Sequence, residues 1–418
     1  MKELYYPVVV VGSGPGGLAA AAAAREAGAK RVLIVERDVR SGGILQQCIH
    51  AGFGLKYFGK ELTGPEYAEL FQEKAKDKGI GWLFRTTALE IREKTLVCAS
   101  QEGLLHISFD ALVLAMGCRE KTRANLVIPG SRVAGIYTAG TAQKLINIYG
   151  RKIGREVVIL GSGDIGMIMA RRLTLEGAHV KAVVELMPFL AGLARNKVQC
   201  LDDFNIPLLL SHTVVDISGT DRVESVTIAP VDENKRPILS ESQVVPCDTL
   251  LLSVGLIPEN ELSRTAGVTL SGVSRGAYVN QYMQTDVPYI FACGNVLHVN
   301  DLVDHVSREG ERAGACAARY AAGTLPQTAP VDTVPGEGIR YVCPQRILPG
   351  NDEPVVLSFR TIVPGRGTTL SAVSADGTVL ATRKLVQTSP GTMEQLTIDA
   401  ATLSGSVTVT AKHEEVLA

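Results

Sequence analysis

The chain reads as an α/β protein: two parallel βαβ units of one design, followed by a small antiparallel β domain. Three observations predict this. A valine strand runs into a glycine cluster, VVVVGSGPGG at 8–17, and on into an alanine-rich helix. The same order of strand, glycines, helix and strand returns at 155–185. Beyond residue 339 the sequence turns to short alternating Thr/Val/Ser runs with Gly-rich turns.

In the first unit, Pro7–Val11 is expected to be a buried parallel strand, since β-branched residues with no polar alternation suit a strand covered on both faces. Gly12, Ser13, Gly14, Pro15, Gly16 and Gly17 follow, then a helix to about Ala27 and a strand, Arg31–Val35, that ends on Glu36. Gly12 permits the tight turn, Gly14 lets backbone approach a pyrophosphate, and Gly17 lets helix and strand pack closely. The free amides at the helix start attract phosphate. Glu36, twenty-four positions after Gly12, stands where a carboxylate accepts hydrogen bonds from an adenosine ribose. Together these parts describe a Rossmann-like dinucleotide site, against the plainer reading of a structural turn.

The second unit has the strand Arg155–Leu160, then Gly161, Gly163 and Gly166, with Asp164 and Ile165 opening a helix to Glu176. The strand His179–Val184 ends on Glu185, again twenty-four positions after the first glycine. Two copies imply two dinucleotides, or one site whose ligand has been lost. A carboxylate at the ribose favours a free 2′-hydroxyl, so NAD(H) is expected over NADP(H).

Bulk properties exclude other classes. The 418 residues carry a net charge of −1 and no dense Lys/Arg block, which argues against nucleic-acid binding. Glycines and Pro15 break the apolar run 8–24, so it fits neither a secretory leader nor a membrane span. The eight cysteines form no CxxC pair, and the seven histidines show no zinc spacing. A cytoplasmic protein without metal is the expectation.

The arrangement resembles the flavoproteins with two dinucleotide-binding domains, the superfamily of the disulfide reductases and NADH oxidases. LVLAMG at 112–117, LLLSVGLIPEN at 250–260 and VPYIFACGN at 287–295 resemble its exit turn, return turn and late FAD-binding strand. The resemblance implies that the first site takes FAD, that the second takes NAD(H), and that the NAD domain is inserted into the FAD domain. The implied boundaries are 1–124 and 247–324 for FAD, 125–246 for NAD, a proline-spaced linker at 325–338, and the β domain at 339–418. FAD contacts would come from Gly12–Gly17, Glu36, Arg37, Gly42, Gly43, Ala115, Gly117, Gly294, Asn295, Leu302 and Val303. NAD contacts would come from Gly161, Gly163, Asp164, Ile165, Gly166, Glu185 and Gly255. Where the family usually has Gly-Asp, this chain has Gly294 and Asn295.

GGILQQCIHAGFG at 42–54 and GNVLHVNDLVDHVSREGERAG at 294–314 resemble a narrower group. Its members accompany anaerobic glycerol-3-phosphate-type dehydrogenases or form the NAD/FAD subunit of heteromeric opine, proline and sarcosine-type oxidoreductases. The implied function is hydride transfer between NAD(H) and FAD for a small-molecule redox reaction, coupled to a partner dehydrogenase or iron-sulfur subunit. The alternatives are a self-contained amine or opine dehydrogenase and a non-catalytic scaffold.

Near the expected flavin, Cys48 has no second cysteine close by, so a dithiol is not expected. Cys48 reads as a packed residue or a sulfenic-acid former, and His50 as an acid/base group or a structural histidine. The resemblance implies that the helix after Leu302 presents its amino end to the flavin, with backbone amides doing the stabilising. In the tail, strands are expected at 355–363, 370–373, 379–386, 395–398 and 406–411, as a platform for a partner or as a cap.

Overall fold

The computed structural model describes every residue except Met1, Asp77, Lys78, Asn351, Asp352, Thr402, Ser404 and Ala418. In chain order the site-bearing elements are β1 (Lys2–Val11), α1 (Pro15–Glu26), β2 (Val32–Val35), β3 (Gly103–Leu114), β4 (Glu156–Leu160), α2 (Asp164–Leu175), β5 (His179–Val184), β6 (Thr249–Leu252), β7 (Ile290–Ala292), α3 (Val303–Ala321), β8 (Ile339–Cys343), β9 (Val355–Thr361) and β10 (Glu394–Ile398).

The chain divides into two compact units. The first comprises residues 1–118, 258–388 and 393–416. Its sheet is built on β1, whose Val8–Val11 pair in parallel with Val32–Val35 of β2 on one side and Ala111–Leu114 of β3 on the other. β7 joins the far side of β3. Strand β1 starts earlier than the expected Pro7, at Lys2, because β3 is long enough to pair Lys2–Tyr6 as well. Strand β3 runs without interruption from Gly103 to Leu114. Ile80–Leu83 and Thr87–Arg92 form two separate strands, with Arg85 between them at φ +49°.

Small residues in α1 answer to α3, which crosses it at close range. A Cβ on Gly310 would lie 2.3 Å from the Gly16 carbonyl oxygen, and one on Gly314 would lie 1.9 Å from that of Ala20. Larger side chains on either helix would force them apart.

The tail belongs to the same unit and forms two sheets. One holds Val331–Pro335, Gly365–Ser374, Val379–Thr388 and Val407–Lys412; the other holds β8, β9 and β10. Leu357, Phe359, Leu370, Val407 and Val409 fill the space between them. Within 325–338, where no periodicity is visible, Val331–Pro335 pairs with the strand Val407–Lys412.

The second unit comprises residues 119–257, 389–392 and 417–418. Its parallel sheet runs Ile136–Thr138, β6, β4, β5 and Leu208–Leu209. The alternation of β4 divides its side chains between two cores: Val157 and Ile159 pack on one face, Val158 and Leu160 on the other. A three-stranded antiparallel sheet, 212–219, 223–230 and 243–246, completes the unit. Among the described residues, no helix is long and apolar enough to cross a membrane.

Candidate active site: two dinucleotide cradles

At the end of β1 the chain turns through Gly12 at φ +99°, where a Cβ would stand 2.5 Å from the carbonyl oxygen of Ala115. The Gly12 amide donates to the Val35 carbonyl at 2.8 Å, which fixes the turn to β2. Ser13 is buried, and its backbone N–H and hydroxyl both donate to Glu36 Oε2, at 2.8 and 2.6 Å. The Asp38 amide donates to Oε1 at 2.8 Å. A carboxylate accepts about four hydrogen bonds, so Oε1 retains capacity for a ribose hydroxyl.

Gly14 then caps α1 with no side-chain hydrogen bond, and no acidic residue lies in the first turn. Nothing lies within 4 Å of the position a Gly14 Cβ would take. The helix thus opens with unsatisfied amides facing space that only glycine leaves clear, a cradle suited to an anionic pyrophosphate. Gly17 is fixed by packing, because its Cβ would lie 1.9 Å from the Gly12 oxygen. The loop after β2 folds back over the turn: the Gly42 amide donates to the Ser13 carbonyl at 2.8 Å, and a Cβ on Gly43 would lie 3.0 Å from Gly14 Cα. Arg37 is exposed beside Glu36.

The second cradle repeats this frame. Gly161 turns at φ +102° beneath the Ser253 oxygen, and its amide donates to Val184 at 2.7 Å. Ser162 donates to Glu185 Oε2 from its amide at 2.8 Å and its hydroxyl at 2.7 Å, and the Met187 amide donates to Oε1 at 2.9 Å. The loop after β5 also folds back, with the Gly192 amide donating to the Ser162 carbonyl at 3.1 Å. Residues 186–191, LMPFLA, carry no cation that could meet a 2′-phosphate. Asp164 lies in the first turn of α2, and its Oδ1 accepts from the Leu193 amide at 2.8 Å and Asn196 Nδ2 at 2.6 Å. Ile165 follows it, half-buried. Gly255, φ +101°, accepts at its carbonyl from the Lys121 amide at 3.0 Å.

Gly117 turns the chain after β3, at φ +74°, and Gly294 turns it after β7, at φ +72°. The Gly294 amide donates to Glu309 Oε2 at 2.8 Å. Both ends of the Asn295 amide are engaged by protein: Oδ1 accepts from the Asn300 amide at 2.9 Å, and Nδ2 approaches Cys118 Sγ at 3.6 Å. Leu302 caps α3 and Val303 begins it. Cys48 is 9% exposed; its thiol donates to the Ile44 carbonyl at 3.3 Å, and its own carbonyl accepts the Gly64 amide at 2.8 Å. His50 Nδ1 lies 3.0 Å from the Ala51 carbonyl oxygen, and its ring sits 4.9 Å from that of Phe53.

Sequence reasoning missed Ser162, although a serine at the second position of both glycine turns was a legible signal. It also missed the buried pair of His298 Nε2 with Glu309 Oε1, 2.6 Å apart, which joins a loop to a helix. Burial holds the His305 imidazole below its ordinary pKa, and burial likewise raises the Glu394 carboxyl.

Two glycine cradles, each with a serine-held glutamate, define the class: a protein with two Rossmann-type dinucleotide cradles. The chain belongs to the pyridine nucleotide-disulphide oxidoreductase family, whose profile matches residues 6–314. It is 26% identical over 314 residues to the HcnB subunit of hydrogen cyanide synthase from Pseudomonas protegens, covering 69% of this chain and 65% of that one. It is 29% identical over 293 residues to an opine oxidase subunit of Agrobacterium tumefaciens, covering 64% and 55%. The match thus spans just under two thirds of HcnB and about half of the opine oxidase chain. Thioredoxin reductase of T. acidophilum shares the fold, with a TM-score of 0.60 at 23% identity over 76% of this chain and 99% of that one. The present chain has no CxxC.

Proposed function

We propose that the chain moves a hydride between NAD(H), held at Glu185, and FAD, held at Glu36, and exchanges those electrons with a partner subunit. The observation that carries this reading is the repeated frame, in which Ser13 and Ser162 bind Glu36 and Glu185 through the same pair of donors. The FAD-binding segments are taken as 1–118 and 258–324 and the NAD-binding segment as 119–257, in place of the expected 1–124, 247–324 and 125–246, because β6 lies in the second unit's sheet. Val331–Pro335, within the expected linker 325–338, joins the β domain 339–418.

Bound FAD supplies a two-electron hydride acceptor. The protein's work is binding and orientation. Gly14 and the first amides of α1 receive the pyrophosphate, and Glu36 accepts from the ribose. Gly42 and Gly43, free of side chains, let backbone lie close to the ring system. The amino end of α3 at Leu302 and Val303 offers amides and a positive helix end to the electron-rich edge of reduced flavin. Glu185 repels a 2′-phosphate and so selects NADH. Cys48 acts as a packing residue, held by Ile44 and Gly64, and His50 is a candidate proton group at the same turn.

Support for a partner subunit comes from relatives that are themselves named as subunits, and a dehydrogenase or iron-sulfur subunit is the partner proposed. The eight cysteines, none in a disulfide, suit the reducing cytoplasm. The test is anaerobic mixing of the purified yellow protein with NADH. Rapid loss of the flavin's visible absorbance is expected, with FAD released on denaturation; inert flavin, or FMN alone, would overturn the reading.

A further inference from the structure

We propose that Arg360, on β9 of the C-terminal β domain, is a positioning residue of the FAD site, holding residues 299–304 so that α3 presents its amino end correctly. The inference rests on the reading of that helix end as a wall of the site.

Between β7 and α3 the chain has little regular structure of its own beyond the short 3-10 turn Gly294–Val296. Side chains from elsewhere hold it. From α3, Glu309 binds the Gly294 amide and His298. From the β domain, Arg360 Nη2 donates to the Val299 carbonyl at 3.0 Å, and its guanidinium stands 3.7 Å from Asp301 Oδ1. Tyr341, on β8, sets its ring edge-on to His298, with centroids 5.8 Å apart. Just before β10, the Met393 amide reaches Asp301 Oδ2 at 3.4 Å. The β domain therefore grips the segment from β8 to β10, rather than standing apart as a platform.

Charge explains why the arginine matters. Asp301, Asp304, Glu309 and Glu394 are all largely buried around this segment. Asp304 Oδ2 is met by the Lys56 backbone amide at 3.1 Å, and Glu394 lies 3.7 Å from Arg383. Asp301, with a side chain only 4% exposed, faces Arg360, itself 13% exposed. Asp301 immediately precedes the cap residue Leu302. A neutral side chain at 360 leaves Asp301 as an uncompensated charge. That charge would oppose the positive helix end and repel an anionic dinucleotide. It would also free the Val299 carbonyl, so the first amides of α3 would shift.

The test uses the full chain stripped of FAD and titrated with FAD, following affinity, the visible circular dichroism of bound flavin, and cooperative melting. Arg360→Gln should weaken FAD by about tenfold or more and change the flavin signal while the apoprotein still melts cooperatively. Arg360→Lys should recover most of the affinity, and adding Asp301→Asn to Arg360→Gln should recover part of it by removing the stranded charge. If Arg360→Gln does not fold, the lysine variant and the double variant decide by the same readings. FAD affinity and flavin signal in Arg360→Gln matching the parent would overturn the proposal, as would a folded lysine variant no better than glutamine. A parent that takes up no FAD would instead sink the underlying reading, and this proposal with it.

Discussion

The two cradles share a hydrogen-bond frame and differ in what surrounds it. In both, a serine N–H and hydroxyl hold one carboxylate oxygen, an amide two residues beyond the glutamate holds the other, and a returning glycine amide closes on the serine carbonyl. The first helix opens with Pro15 and Gly16, has no acid in its first turn and lies tightly under α3. The second opens with Asp164 and Ile165, and Asp164 ties down the loop at Leu193 and Asn196. The proposed binding of two dinucleotides rests on this shared frame. The first cradle is overlain by α3 and by Gly42–Gly43, whereas at the second the loop through Gly192 returns over the helix start, where a Cβ on Gly192 would lie 2.8 Å from the Asp164 amide nitrogen.

The two cradles differ most in how tightly their packing glycines are held. A Cβ on Gly17 would lie 1.9 Å from the Gly12 oxygen, and one on Gly166 would lie 2.7 Å from the Gly161 oxygen. Chemical unfolding should therefore show Gly17→Ala costing about 3 kcal/mol or more and Gly166→Ala about 1–2 kcal/mol. The reverse order would mean that the first cradle is the more yielding one.

A smaller effect separates the two glutamates. Glu185→Ala should lower the preference for NADH over NADPH by about a hundredfold in rapid-mixing reduction of the flavin, since the repulsion of a 2′-phosphate is lost. Glu36→Ala should weaken FAD and leave that ratio unchanged. Equal NADPH use by the parent would show that Glu185 does not meet the 2′-position.

The smallest effect concerns Cys48. Its thiol donates to Ile44, and its backbone packs against Gly64, so Cys48→Ser should keep NADH-to-flavin transfer within about threefold of the parent. A hundredfold loss, with a long-wavelength charge-transfer band in the parent, would give the thiol a redox role.

Both cradles were legible because their parts are local: strand, glycines, helix, strand and glutamate lie within one short stretch of chain. The tail strands were legible from alternation. What escaped notice depends on long-range partners. Nothing near Lys2 announces that β3 will pair with it, and nothing near Arg360 announces Asp301, fifty-nine positions earlier. His298 and Glu309 look like a solvated face in sequence, yet the fold buries them together. Asn295, read as a cofactor ligand, is engaged by Asn300 and Cys118, a contact set that only the folded turn reveals.

On the proposed reading, each cradle holds its own dinucleotide. Equilibrium binding of FAD and of NADH to apoprotein and holoprotein, compared for Gly14→Val and Gly163→Val, tests it most directly. A Cβ at Gly14 meets nothing in the protein, and one at Gly163 comes no closer than 3.3 Å, so both chains should fold. The expected result is loss of FAD with NADH binding retained in the first variant, and retained FAD with loss of NADH binding in the second. Loss of both ligands in either folded variant, or of neither, would contradict the claim.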